Sequence, residues 1–139
     1  MFSQSINIQA SAERIYRHYA DLSSWAQWDP AVRAVSLPGG LAAGSSGWLQ
    51  AAGGPRTNIR VQEASAARSF TVESKLPGCR MLFGHTLQAG PQGVQATHSL
   101  SFAGPMAFLF RRLLGAKIAA TLPAALQGLK RMSESDARA

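Results

Sequence analysis

Residues 81–100 read MLFGHTLQAGPQGVQATHSL, two alternating runs on either side of the turn cluster Gly90, Pro91, Gln92 and Gly93. Such a pattern is the signature of a β-hairpin. If Gly90 faces Gly93, opposed residue numbers sum to 183, which pairs Ala89 with Val94, Leu87 with Ala96, His85 with His98, Phe83 with Leu100 and Met81 with Phe102. All ten side chains fall on one parity, and Thr86, Gln88, Gln95, Thr97, Ser99 and Ser101 fall on the other. One face of the hairpin is therefore apolar and buried, and both histidines belong to it. Directly opposed side chains have Cβ atoms roughly 5 Å apart. The interior of this chain receives two adjacent imidazoles.

Elsewhere the chain alternates strand signals with short turns. Ile6 and Ile8 share a parity in a first strand over 5–9; Ser11 is placed to cap a helix with Glu13 in its first turn, and Ile15, Tyr19 and Leu22 recur at helical spacing. A second short helix is expected over 21–25, and Pro30 ends it before a strand at 32–37. Further strands are expected at 48–52, 57–63 and 68–74, so the sum with the hairpin is about seven, mostly antiparallel. From Met106 a helical stretch of about 27 residues follows, kinked at Pro123. Its stripe carries Leu114, Ile118, Leu122, Ala125, Leu126 and Leu129, with Arg111 on the same face; Arg112, Lys117, Lys130 and Arg131 lie off it, in solvent. The tail, 133–139, is expected to fray.

With 139 residues, 46% hydrophobic and 15% charged, one domain with a real core is expected. The lone Cys79 excludes an internal disulfide and suits a reducing cytoplasm. No signal peptide or membrane span is legible. A net charge of +7 invites an anionic partner, but eleven of the fourteen cations are scattered arginines without zinc-finger, helix-turn-helix or aromatic-interleaved patterning, which argues against nucleic acid. No triad, nucleophile elbow, phosphate loop or carboxylate pair is present.

The segment IQASAERIYRHYADLSSWAQWDPAV at 8–32, Gly47 before a strand and the helix ending LQGLKRMSE at 126–134 together resemble the START-like (Bet v 1-like) superfamily, and within it the polyketide cyclase/dehydrase and lipid-transport group. The resemblance spans the whole chain. It implies an α+β helix-grip fold, in which a curved antiparallel sheet wraps a long C-terminal helix, two short helices follow strand 1, and a deep apolar cavity lies between. The implied function is binding of a hydrophobic or amphipathic small molecule, lipid or polyketide-like, with no cofactor.

In that setting the histidines have several readings. A zinc site needs a third ligand; Cys79 lies roughly 20 Å from His85 along its strand, which leaves Glu63, on the parity of Ile59 and Val61, and no metal is expected. A cyclase or dehydrase would use His85 or His98 as general base near its reference pKa of about 6.5. A carrier would use them as polar fittings for a ligand, and a plain core would have them bond each other or a water. The expected ligand contacts are Phe83, Leu87, Leu100, Phe102, Leu114, Ile118 and Leu122, with Arg111 facing either an anionic ligand group or solvent. Trp25 and Trp28 are expected to plug the core, and Trp48, with Gly53 and Gly54 nearby, to be exposed on a mobile loop. MAFLFRR at 106–112 joins apolar bulk to paired cations, so contact with an anionic membrane is a further reading.

Overall fold

The computed structural model describes residues 1–138, and side chains through Ser135. Seven strands form one antiparallel sheet in the order β1-β7-β6-β5-β4-β3-β2. They are β1 (Phe2–Ile8), β2 (Val32–Ser36), β3 (Ser46–Ala51), β4 (Arg56–Ser65), β5 (Ser69–Leu76), β6 (Cys79–Gly90) and β7 (Gly93–Ala103). The β6–β7 register runs from Arg80↔Ala103 to Gly90↔Gly93, and every pair sums to 183, as the turn chemistry requires. After β1 come α1 (Ala12–Ala20), a 3₁₀ turn at Leu22–Ser24 and α2 (Trp25–Trp28). Ser11 caps α1 by accepting the Arg14 N–H at 3.2 Å. This is the expected helix-grip arrangement.

The C-terminal helical stretch differs from a once-kinked rod. It consists of α3 (Ala107–Phe110), a π turn (Arg111–Gly115), α4 (Ala116–Ala119) and α5 (Leu122–Arg138). The break falls at Ala120 and Thr121, where the Thr121 hydroxyl and N–H both bond the Ile118 carbonyl. Pro123 thereby enters the first turn of α5, where a missing N–H leaves no bond unmade. The π turn has a second consequence. In its wider i→i+5 turn, residues four apart align better than residues three apart, so Phe110 joins Leu114 and Ile118 against the sheet. Arg111, expected on that stripe, is rotated away and exposed.

The tail also departs from expectation: α5 continues to Arg138 and Ser133 is fully buried, while Ala139 lies outside the described residues. The α5 end is held to β1, because Lys130 Nζ donates to the Asn7 carbonyl at 3.0 Å and to Glu134 at 2.7 Å, and Glu134 accepts the Gln9 N–H at 2.9 Å. Lys130 is thus a tether rather than a solvated charge. Trp48 lies in β3, half-buried, with the Arg56 guanidinium 3.9 Å from its ring centroid. No helix among the described residues is long and apolar enough to cross a membrane.

Two apolar clusters share the concave face. One gathers Ile8, Ile15, Tyr19, Trp25, Trp28 and Phe70 under Leu126 and Leu129 of α5. The other gathers Cys79, Met81, Leu100 and Phe102 under Phe110, Leu114 and Ile118. Phe83 packs against both.

Candidate functional site

Alternation in β6 and β7 sends His85 and His98 to the concave face, where the register sets them directly opposite, with ring centroids 4.6 Å apart. The neighbouring elements then decide what each ring can do. Tyr19, on the buried stripe of α1, brings its hydroxyl to 2.8 Å from His98 Nε2. Trp28 lies 6.1 Å from the same imidazole, and Trp25 donates its indole N–H to the Tyr19 carbonyl at 2.8 Å. His98 is buried and committed to Tyr19.

His85 is placed differently. Its ring stacks on Phe70 at 3.9 Å and 5°, and its Nδ1 lies 3.3 Å from the Phe70 carbonyl. A carbonyl only accepts, so Nδ1 carries the proton and Nε2 keeps its lone pair. Unlike His98, the residue stays partly exposed, as does Phe83 two positions earlier on the same face. Burial lowers the His85 pKa to about 4, against the opposing pull of the Phe70 and Phe83 backbone bonds. Burial, and then the neighbouring His85, hold His98 well below the usual range. Burial likewise raises Tyr19. Near neutrality the whole group is uncharged, so it offers hydrogen bonds and a neutral base rather than a cation.

Neither candidate for a third zinc ligand stands beside the histidines. Glu63, expected inward by parity, follows a β-bulge between Val61 and Glu63, which turns it to the convex face. There Ser69 and Thr71 hydroxyls donate to its carboxylate at 3.1 and 3.0 Å. Cys79 is buried in the second cluster. Among the described residues no three His, Cys, Asp or Glu groups converge.

The expected ligand contacts divide. Phe83, Leu100, Phe102, Leu114 and Ile118 come together in or against the second cluster. Leu87 is buried in the aromatic cluster, and Leu122 is buried outside both. Arg111 faces solvent. Beneath the histidines, Tyr19, Trp25, Trp28 and Phe70 pack on one another and against the imidazoles. The half-covered part of the concave face lies toward α3 and the π turn, where Phe83, Leu114 and Ile118 remain partly exposed. A depression at the other end, near the hairpin tip, is lined by polar residues such as Asn7, Gln88 and Gln92.

Two contributors were not legible as site residues. Tyr19 reads as one more apolar position of α1, although a buried tyrosine normally finds a partner for its hydroxyl, and that was the available signal. Ser74 sits on the concave face of β5, opposite Ile59 and Met81, with a buried hydroxyl that has no protein partner. His85 and Ser74 thus place polar atoms on either side of Phe83 along the floor.

Comparison with known proteins agrees with this architecture. Residues 1–134 match the family described as polyketide cyclase/dehydrase and lipid transport. The protein MLL2253 from Mesorhizobium loti has a similar structure, with a TM-score of 0.76 at 16% identity, covering 96% of each chain. Ara h 8.0201 gives 0.72 at 10% identity, covering 96% of this chain and 97% of its own. The di-domain ARO/CYC StfQ from the steffimycin biosynthetic pathway gives 0.75 at 13% identity over 99% of this chain and 51% of its own. No curated protein matches the sequence.

Proposed function

Because the chain belongs to the polyketide cyclase/dehydrase and lipid transport family, whose fold supports a hydrophobic ligand pocket, we propose that it binds an amphipathic lipid or polyketide-like molecule on the half-covered part of its concave face. The observation that carries the reading is the partial exposure of Phe83 and His85 on the inner face of β6, while His98, Leu87 and Leu100 around them are buried. The apolar body of the ligand lies on Phe83, Leu114 and Ile118. Its hydroxyl or phenol donates to Nε2 of His85, whose lone pair the Phe70 bond keeps available. His98 orients α1 through Tyr19 and does not meet the ligand, and Arg111 plays no part.

The test compares naphthalene with 2-naphthol, two fluorescent probes that differ by one hydroxyl. His85→Phe keeps most of the ring volume and removes the acceptor. Leaving a ligand hydroxyl buried and unpaired costs roughly 1 to 3 kcal/mol, so 2-naphthol should bind about tenfold to a hundredfold more weakly while naphthalene holds. Arg111→Met should bind both as the parent does. Undiminished 2-naphthol binding by His85→Phe relative to the parent overturns the assignment, and failure of the parent to bind either probe overturns the site.

A catalytic reading draws on the same tautomer. A neutral Nε2 facing a bound polyketide-like chain is positioned as a general base for an activated C–H or hydroxyl. With its pKa near 4 it is a weak one at neutral pH. Turnover of a poly-β-ketone substrate that disappears in His85→Phe while binding survives would favour the enzyme over the carrier.

A further inference from the structure

Apart from Met1, every large hydrophobic side chain exposed by more than a third among the described residues lies on one segment: Met106 at 37%, Phe108 at 68% and Leu113 at 64%. Scattered exposed apolar residues are ordinary; a concentration within eight consecutive residues, 106–113, is not. Cations accompany them. Arg112 stands four residues after Phe108 and Lys117 four after Leu113, one turn away in each case, and Arg111 is exposed beside them. No carboxylate offsets these charges in sequence, because no Asp or Glu occurs from residue 74 to residue 133, whereas seven Lys and Arg do. Glu73, just before that interval, is buried and occupied by Gln62 at 2.9 Å and Arg80 at 3.5 Å.

The opposite side of the same helical turns presents Phe110, Leu114 and Ile118 to the second cluster. One short segment therefore faces the concave floor with one side and solvent with a cationic, apolar other side. We propose that this outer side, Phe108 and Leu113 with Arg111, Arg112 and Lys117, docks on an anionic lipid bilayer. The charge selects an acidic surface, and the two exposed apolar side chains select one that they can enter, which a nucleic acid or an acidic protein surface does not offer. Phe108 and Leu113 insert among the acyl chains while the guanidinium and ammonium groups stay at headgroup level. The proposal does not depend on what the concave face binds.

The experiment is co-sedimentation of the full chain with phosphatidylcholine vesicles, with and without phosphatidylglycerol, at low and high salt. The parent should pellet with the phosphatidylglycerol vesicles at low salt and be released at high salt. Each cation near such a surface is worth about fivefold in partitioning, so Arg112→Gln with Lys117→Gln should weaken binding about 25-fold. Phe108→Ser with Leu113→Ser should weaken it at least about tenfold. All four side chains are exposed, and an unchanged urea unfolding midpoint for each double variant reports that the fold is retained. Three results overturn the proposal. The parent stays in the supernatant at low salt; both double variants pellet as the parent does; or sedimentation velocity without lipid finds a dimer that Phe108→Ser with Leu113→Ser dissolves, which assigns the patch to a second copy.

Discussion

The two halves of the concave face are built from the same sheet and closed in different ways. Toward the hairpin tip, α1, α2 and α5 all converge, and Tyr19, Trp25, Trp28 and Phe70 meet edge to face or tilted with centroids 4.8 to 5.9 Å apart. Toward the start of β6 only the π turn and its short flanking helices provide cover, and Leu114 and Ile118 stay partly exposed. Three converging elements exclude water, and one narrow element leaves a margin. The difference shows where a stable fold and a binding surface are separated in so small a chain: packing enthalpy is concentrated at one end, and accessible apolar surface is retained at the other.

The largest effect that tests this contrast comes from paired truncations. Phe70→Ala empties the centre of the aromatic cluster and should lower unfolding free energy by about 3 to 5 kcal/mol, whereas Phe83→Ala, at a partly exposed position, should cost about half as much. Urea denaturation measures both. Equal losses would mean that the second half is packed as tightly as the first.

A pH titration of stability is next in size. With its folded pKa near 4 and its ordinary value near 6.5, His85 is neutral in both states above 6.5. Below that, the unfolded chain takes up the proton first, so stability falls with pH until about 4 and levels off beneath. The loss amounts to roughly 3 kcal/mol from His85, to which His98 adds in the same direction. Urea midpoints at neutral pH and near pH 4 should show it, and His85→Phe should flatten the slope. An unchanged slope would place the His85 ring in water rather than against Phe70.

The smallest effect compares two helical glycines. A Cβ at Gly128 would stand 2.0 Å from the Trp28 carbonyl oxygen, a backbone atom that cannot yield without parting α5 from α2. A Cβ at Gly115 would stand 2.7 Å from the Phe2 ring, which can turn aside. Alanine favours helix over glycine by about 1 kcal/mol in each case. Gly128→Ala should therefore lose about 2 kcal/mol net in thermal or urea unfolding, and Gly115→Ala should fall within about 1 kcal/mol of the parent either way. Similar values would show that the two ends of the helical stretch are held alike.

Much of this is legible in the sequence. Alternation about Gly90 and Gly93 specified the register of β6 and β7 residue by residue, because a slip of one would carry every apolar side chain to the wet face. The capping serine, the strand count and the buried stripe from Leu122 to Leu129 followed from equally local rules. Three features did not. Glu63 was assigned inward by parity, but a bulge adds one residue to one strand and no residue type announces it. For Arg111 a uniform helical period left cavity and solvent both open, and the π turn, which no residue type announces, decides for solvent. Fraying of the tail is the expectation for a chain end, whereas Glu134 accepts from Lys130 and from the Gln9 N–H, partners contributed by α5 and by the far end of the chain.

The sequence by itself thus determined which side chains face inward along each strand and that the two histidines meet, since both depend on backbone periods and one turn. Only the tertiary structure decided that the imidazoles have different roles. Tyr19 reaches His98 from a helix 79 positions away in the chain, and the Phe70 ring and carbonyl hold His85 in one tautomer. A hydrogen-bond partner drawn from another element is set by how the elements pack, and no local pattern encodes that distance.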